Sequence, residues 1–322
     1  MTARFMLLAF AVSAAFGAPF VLGDYQLYLA QLIMLNIIAA LGLNLLTGNC
    51  GQISLCHSSF VAIGAYMSSL LMLRSNVSVV LAVPAGAGIA AVLGACLGFP
   101  ARRLSGLYLA LVTLGFLELV QIGIEELPDL TGGVRGLSVP KVQLLGPSLQ
   151  DGRIFYYVVA TVTTASIVAA YHLQRSRFGR AFNAVRQSAY AAQALGIPLT
   201  RTKLLAFSIA AGFAGLSGAL QAVVVGFIDP TEFGISTALR QITFIVVGGL
   251  GSVLGSVLGA ISLTMLPELL RGAQEYSDLI YGVILLASLL FMPQGLSGLL
   301  DKLAVQPNKA AVPRKASAEV QP

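Results

Sequence analysis

The chain is 322 residues long, 57% hydrophobic and only 10% charged, with 19 lysines and arginines against 13 aspartates and glutamates and a mean hydropathy of +0.86. Soluble domains carry about 25% charged residues, so the chain lacks the solvating charge of a water-soluble enzyme. Its net charge of +6 is too thinly spread to track nucleic-acid phosphates, and Cys50, Cys56 and Cys96, in apolar or glycine-rich sequence, do not make a disulfide framework.

A bilayer core of about 30 Å is crossed by about 20 apolar residues in a helix, and that template fits the chain repeatedly. The first match, 5–22, follows Arg4 and resembles a signal peptide. It is long for a cleaved leader, and Pro19 would directly follow the cleavage point, so it reads as an uncleaved span. Further matches lie at 27–46, 53–73, 77–99, 106–124, 154–173 and 204–227, then a glycine-broken stretch at 236–270 and a last segment at 278–292. As one helix the glycine-broken stretch would run about 50 Å at about 1.5 Å per residue, too long for a bilayer. Two segments, 236–249 and 252–270, fit better, the first short enough to be re-entrant or broken. The expected fold class is an all-α integral membrane protein, a polytopic helical bundle of about ten membrane segments (nine to ten). Residues 1–302 form the membrane domain and 303–322 a disordered cytoplasmic tail.

Orientation follows from basic residues in short loops. The loop 174–203 holds Arg175, Arg177, Arg180, Arg186, Arg201 and Lys203 with no acidic residue, which places it in the cytoplasm. With ten segments, Arg4, Arg102, Arg103 and the basic tail fall on the same side, so both termini are cytoplasmic. Asp24, the acidic loop 125–153, Asp229 and Glu232 fall outside.

Polar groups inside spans need a reason, because leaving them unpaired in hydrocarbon costs several kcal/mol. Between the second and third spans, Asn44, Thr47, Asn49, Gln52, Ser54, His57, Ser58 and Ser59 interrupt two apolar runs, with Gly48 and Gly51 permitting a sharp turn. Two accounts stand. In one, Asn44, Thr47, Gln52, Ser54, His57 and Ser58 line a translocation pathway; in the other, they cap helices and fix packing at a cytoplasmic turn. Glu118 is the one clear carboxylate at membrane depth. It lines the pathway or orients a zwitterion's ammonium, or else it pairs with a cation such as Arg240 or snorkels outward.

Along the loop 174–203 the pattern becomes amphipathic: Ala181, Phe182, Val185, Ala189, Ala192 and Leu195 recur at steps of three and four. Gly196 supplies a left-handed stop and Pro198 prevents continuation, so a helix, a tight turn and a return to the membrane are expected. Such a helix lies on the anionic inner leaflet or docks on a protein, and its small alanines suit close approach to a protein groove. Arg180, Phe182, Val185, Arg186, Ala189, Ala192, Leu195 and Gly196 are the candidate docking residues. Gly251, Gly255 and Gly259, and Gly94 with Gly98, form small-residue ridges for close helix packing. The chain carries no G-x-x-x-x-G-K-[ST] phosphate loop and no G-x-S-x-G elbow. Cys50, Cys56 and His57 match no zinc or haem spacing.

The run RSRFGRAFNAVRQSAYAAQALGIPLTRTKLL at 175–205 resembles the coupling loop of the branched-chain amino-acid class of ABC importer permeases. LGLNLLTGNCGQISLCHSSFVAIGAY at 41–66, LTGGVRGL at 130–137 and GGLGSVLGSVLGA at 248–260 resemble, in order, three further stretches of that family, closest to the longer of its two paired permease subunits. The chain departs from the pattern at Cys56, where the family usually has glycine, and at Gln187 or Ser188, where an acidic residue is common. The resemblance implies a bacterial inner-membrane permease that binds no cofactor itself, ATP and Mg residing on two cytoplasmic ATP-binding subunits. It further implies a second homologous permease, a periplasmic or extracellular substrate-binding protein, contact with membrane lipid and no nucleic acid. Branched-chain or other hydrophobic amino acids are the implied substrates, with urea or short amides the alternative within the same class. ATP-driven closure of the partners would move the loop 174–203 as a lever, so Ala192→Arg is expected to spare insertion and abolish coupling. An ion-coupled secondary transporter or channel is the rival of a different class; it would use buried acid, lysine or histidine relays, of which Glu118 is nearly the sole candidate.

Overall fold

The computed structural model describes residues 22–101, 104, 106–139, 152–269 and 276–291, with the isolated positions 17, 19, 295, 296 and 298. Most of the expected first span, Arg102, Arg103 and the tail 303–322 lie outside the described residues. Helix α1, Asp24–Leu43, runs on into a π-helical turn at Asn44–Asn49; α2 is His57–Ser75, α3 Val79–Ala101 and α4 Leu107–Glu125. A short α5, Pro128–Thr131, and strand β1, Leu137–Ser138, follow. Then come α6, Gly152–Arg175, α7, Arg177–Gln187, α8, Ala189–Ala194, and α9, Leu199–Val225. Strand β2, Phe227–Ile228, precedes α10, Ile235–Gly248, α11, Val253–Leu269, and α12, Ser277–Phe291.

The helices coincide closely with the expected segments. By length and composition, five helices among the described residues suffice to cross a membrane: Asp24–Asn49, Val79–Ala101, Leu107–Glu125, Arg153–Arg175 and Leu199–Val225. Ile235–Gly248, Val253–Glu268 and Leu279–Ser288 are shorter apolar helices. The all-α class holds apart from β1 and β2, an antiparallel pair two residues long that joins Leu137 to Ile228 and Ser138 to Phe227. The glycine-broken stretch is two helices, as expected: α10 ends before Gly249 and Gly251, both at positive φ, and α11 starts at Val253. At about 1.5 Å per residue α10 is about 21 Å long, short of a full bilayer core.

Helix α9 is the axis of the bundle and packs against α1, α2 and α3. Its inward positions are nearly all small: Ala206, Ala210, Ala211, Ala214, Gly215, Gly218, Ala219 and Ala222 are buried. Neighbouring backbones therefore meet it directly. A Cβ at Gly64 of α2 would run into the backbone of Gly215, and one at Gly218 into the carbonyl of Val61. The ridge reading holds for Gly94 and Gly98, which face Phe207 of α9, and for Gly255 and Gly259, which face the end of α10. Gly251 departs from it, because it sits in the left-handed turn between α10 and α11 rather than on a helix face.

Two apolar cores result. One gathers α2, α3 and α9 around Phe60, Ala90 and Phe207; the other gathers α6, α10, α11 and α12 around Ile167, Ile245, Val257 and Tyr281. Helix α1 serves both, giving Leu35 and Ile38 to the first and Ile37 and Leu41 to the second. Helix α4 buries only Leu109, Thr113, Leu117 and Ile124, a single stripe at helical spacing, and turns the rest of its apolar surface outward, as a lipid-facing helix does.

Candidate functional site

The basic loop 174–203 is almost wholly helical, but its amphipathic run is broken in two. Ser176 caps α7, its hydroxyl accepting from the N–H of Phe178 (3.1 Å) and Gly179 (3.4 Å). Ser188, in extended backbone (φ −161°, ψ 115°), ends α7 and caps α8 by accepting from Ala191 (3.3 Å). The expected single helix is thus an elbow of two, because a serine hydroxyl satisfies the free N–H groups of a new helix start. Gly196, at φ +80°, closes α8 as expected: its N–H reaches the carbonyl of Gln193 (2.9 Å) and that of Ile197 the carbonyl of Ala192 (3.0 Å).

The candidate docking residues divide. Phe182 (1% exposed), Val185 and Ala192 (2%) are buried against the chain's own helices. Ala189 is half-buried, and Arg180 is exposed, turning back to the carbonyl of Arg175 (3.0 Å). The apolar stripe is therefore not a free docking face; it fastens the elbow to the helical bundle, since the helices nearby offer the closest apolar surface. The expectation for Ala192→Arg is corrected accordingly: the substitution forces a guanidinium into the chain's own packing and tests folding, not docking. What the elbow presents outward is Tyr190 (89% exposed), Leu195 (81%) and Gly196.

The elbow and the polar turn at 44–59 form one construction. Arg186 donates to the carbonyl of Gly48 and passes between Gly51 and Gly251, where added side chains would crowd it. Asn49 accepts from Gln174 (2.9 Å) and donates to Asn183 (3.4 Å), tying the π-turn to α6 and α7. Asn44 carries the connection onward: its amide donates to the carbonyl of Ser252 (2.9 Å) and the hydroxyl of Ser256 (2.7 Å), and its oxygen accepts from the N–H of Gly251 (2.8 Å).

The other candidate pathway residues are likewise engaged in packing. Thr47 donates to the carbonyl of Gln52 (3.1 Å), Ser54 lies 3.3 Å from the Cys56 sulfur, and Ser58 donates to the carbonyl of Gly234 (3.5 Å). His57 is buried with Nε2 on the carbonyl of Ala39 (2.9 Å), and Gln52 is buried with its side-chain oxygen unpartnered among the described residues. These are contacts that the structural-turn account calls for. Glu118 is exposed on the outward face of α4, apart from all of these residues. Arg240, its expected partner, instead donates to Thr237 of its own helix (2.7 Å).

A cavity of about 250 Å³ lies at the other end of α9 from the elbow. Asn36 of α1, Gln221 of α9, Arg240 and Gln241 of α10 and Thr264 of α11 line it, with Glu232 in the loop before α10. The sequence reading passed over it. An arginine inside an apolar segment was the available signal, but its partners are scattered along the chain and only the fold gathers them. Desolvation at the cavity mouth, and next the Asp229 carboxylate, raise the carboxyl of Glu232 above its ordinary value; Arg240 opposes them.

The family model described as the permease component of branched-chain amino acid transport systems matches residues 25–289. The chain is 35% identical to the high-affinity branched-chain amino acid transport system permease protein LivM of Salmonella typhimurium, over 86% of this chain and 71% of that protein. It is 36% identical, with the same coverage, to LivM of Escherichia coli K12. Identity to the LivH permease of the same Salmonella system is 27%, over 80% of this chain and 90% of that protein. No solved structure gives a significant match.

Proposed function

This chain belongs to the permease-component family of branched-chain amino acid transport systems, and on that premise we propose that it carries branched-chain or other aliphatic amino acids inward across the bacterial inner membrane. It is a multi-pass permease subunit of an ABC importer, a multi-subunit transporter that contains another permease. In the proposed assembly two cytoplasmic ATP-binding subunits hydrolyse ATP and a periplasmic binding protein delivers substrate. Both termini and the elbow α7–α8 face the cytoplasm, in keeping with the basic residues of the loop 174–203.

The observation that carries the coupling role is the contrast within the elbow. Phe182, Val185 and Ala192 hold it to the permease, while Tyr190 in α8 and Leu195 at its end are almost uncovered among the described residues. Large, nearly fully exposed side chains on an anchored support suit insertion into a partner's pocket. Force applied there passes through Arg186 and Asn49 to the π-turn, and through Asn44 to the turn between α10 and α11.

The test is reconstitution of the complete importer in liposomes with Leu195→Glu or Tyr190→Ala. Losing one buried anchor residue costs about 2 kcal/mol or more at an interface, so binding-protein-stimulated ATP hydrolysis and leucine uptake should fall at least roughly thirtyfold. Permease insertion, read by protease protection, should be unchanged. Full coupling in both variants would show that the ATPase docks elsewhere.

A further inference from the structure

The cavity at the outer end of α9 holds both signs of charge in a space suited to one small solute. Its volume of about 250 Å³ has room for a solute of amino-acid size. Arg240 commits one terminal nitrogen to Thr237, while its Nε is shielded from solvent without a partner among the described residues. Gln241, adjacent in sequence, is buried with its side-chain oxygen also unpartnered among them. Both atoms are closed off from solvent and face no cavity; what Arg240 brings to the cavity is the charge of its guanidinium. Glu232 at the mouth adds a carboxylate, and Leu32, Leu35 and Phe244 supply an apolar wall.

We propose that this cavity is a transit site for a zwitterionic α-amino acid: the Arg240 guanidinium holds the carboxylate, the Glu232 carboxylate accepts the ammonium, and the aliphatic side chain lies on Leu32, Leu35 and Phe244. The assignment rests on the permease reading and sharpens it, because a neutral amide such as urea would leave both charges of the site uncompensated. The cavity straddles the two apolar cores, with Val61 from one and Phe244 and Tyr281 from the other, so relative movement of the cores would open or close it.

The experiment reports occupancy directly. Cys96, the exposed cysteine, is replaced by alanine, leaving Cys50 and Cys56 buried, and Val225→Cys places a thiol on the cavity wall. The nucleotide-free permease complex in nanodiscs is then labelled with a small neutral thiol reagent in the presence of L-leucine, leucinamide or 4-methylpentanoate. For a Kd on the order of 1 mM, about 10 mM leucine slows labelling about tenfold, whereas the analogues lacking one charge protect little. Arg240→Gln should abolish protection without changing the unprotected rate, Arg240→Lys should retain part of it, and leucine turnover by the Gln variant should fall at least about tenfold. Equal protection by all three solutes, or protection that survives Arg240→Gln, overturns the proposal. So does leucine uptake by the parent complex with no protection by leucine. Arg240-dependent protection in a complex that performs no ATP-driven leucine uptake keeps the cavity assignment and overturns the importer reading instead.

Discussion

Asn44 is the single side chain whose removal should most disturb the path from the elbow to α10 and α11. It is buried in the π-turn and makes three hydrogen bonds of 2.7–2.9 Å to residues more than 200 positions away in sequence. In Asn44→Ala the hydroxyl of Ser256 still reaches the carbonyl of Ser252 (3.2 Å), so that group keeps a partner. The N–H of Gly251 does not, and an orphaned buried donor costs about 1–3 kcal/mol. Interhelical hydrogen bonds in membrane proteins average only about 0.6 kcal/mol, which sets a modest figure for the other two. The expected loss is about 2–4 kcal/mol, and at about 2 °C per kcal/mol for a chain of this size the Tm in detergent should fall roughly 4–8 °C. Buried Cys50 and Cys56 provide the assay without added labels: a fluorogenic thiol reagent reports unfolding as they become accessible, in a Cys96→Ala background. Ser256→Ala should cost less, about 0.6–1.7 kcal/mol. A Tm for Asn44→Ala within 1 °C of its parent would refute the claim that this clamp fastens the two turns.

Two further outcomes follow from the packing and the charge of the bundle. Gly64→Val places a branched side chain against the backbone of Gly215, which cannot yield as a flexible side chain would; the variant should fail to give a monodisperse permease on size exclusion, whereas Gly88→Val, with open space beside it, should behave as the parent. Because desolvation and Asp229 hold the carboxyl of Glu232 above its ordinary value, against the pull of Arg240, its charge is lost at a higher pH on acidification than that of a free glutamate. Leucine uptake should therefore decline as external pH falls toward that raised pKa, with Asp229, Arg240 and Tyr28 the ionisable neighbours; Glu232→Gln should lower uptake and flatten this limb, and a limb of unchanged shape in that variant would assign it to another group.

The apolar helices were legible in the sequence because each is an apolar run bounded by glycine, proline or charge, and α1 to α4, α6 and α9 to α12 all fall within a few residues of where hydropathy alone places them. The helix stop at Gly196 was equally local. Ser176 and Ser188 carried the start signals of α7 and α8, but the continuous three-and-four periodicity through Ser188 masked the second start. Periodicity identified which residues of the elbow are apolar. It could not say what they face, since a stripe that docks on a partner and one that docks on the same chain look alike in sequence. The polar cluster at 44–59 poses the same problem: its composition suits a pathway and a packed turn alike, and the partners of Asn44 and His57, distant in sequence, could not be read from it. Arg240, Glu232 and Asn36 come from three separate elements, so no local pattern could gather them into one cavity.

The small-residue stripe of α9 has a mechanical meaning. Where backbone rests on backbone, as at Gly64 and Gly215, there is no side chain to readjust, so α2 and α9 are held as one block at that contact. The compliant part of the protein is then the seam along α1, where side chains of both cores meet around the cavity. A stroke delivered at the elbow, as proposed above, would then be taken up along that seam, beside the cavity proposed to hold the solute.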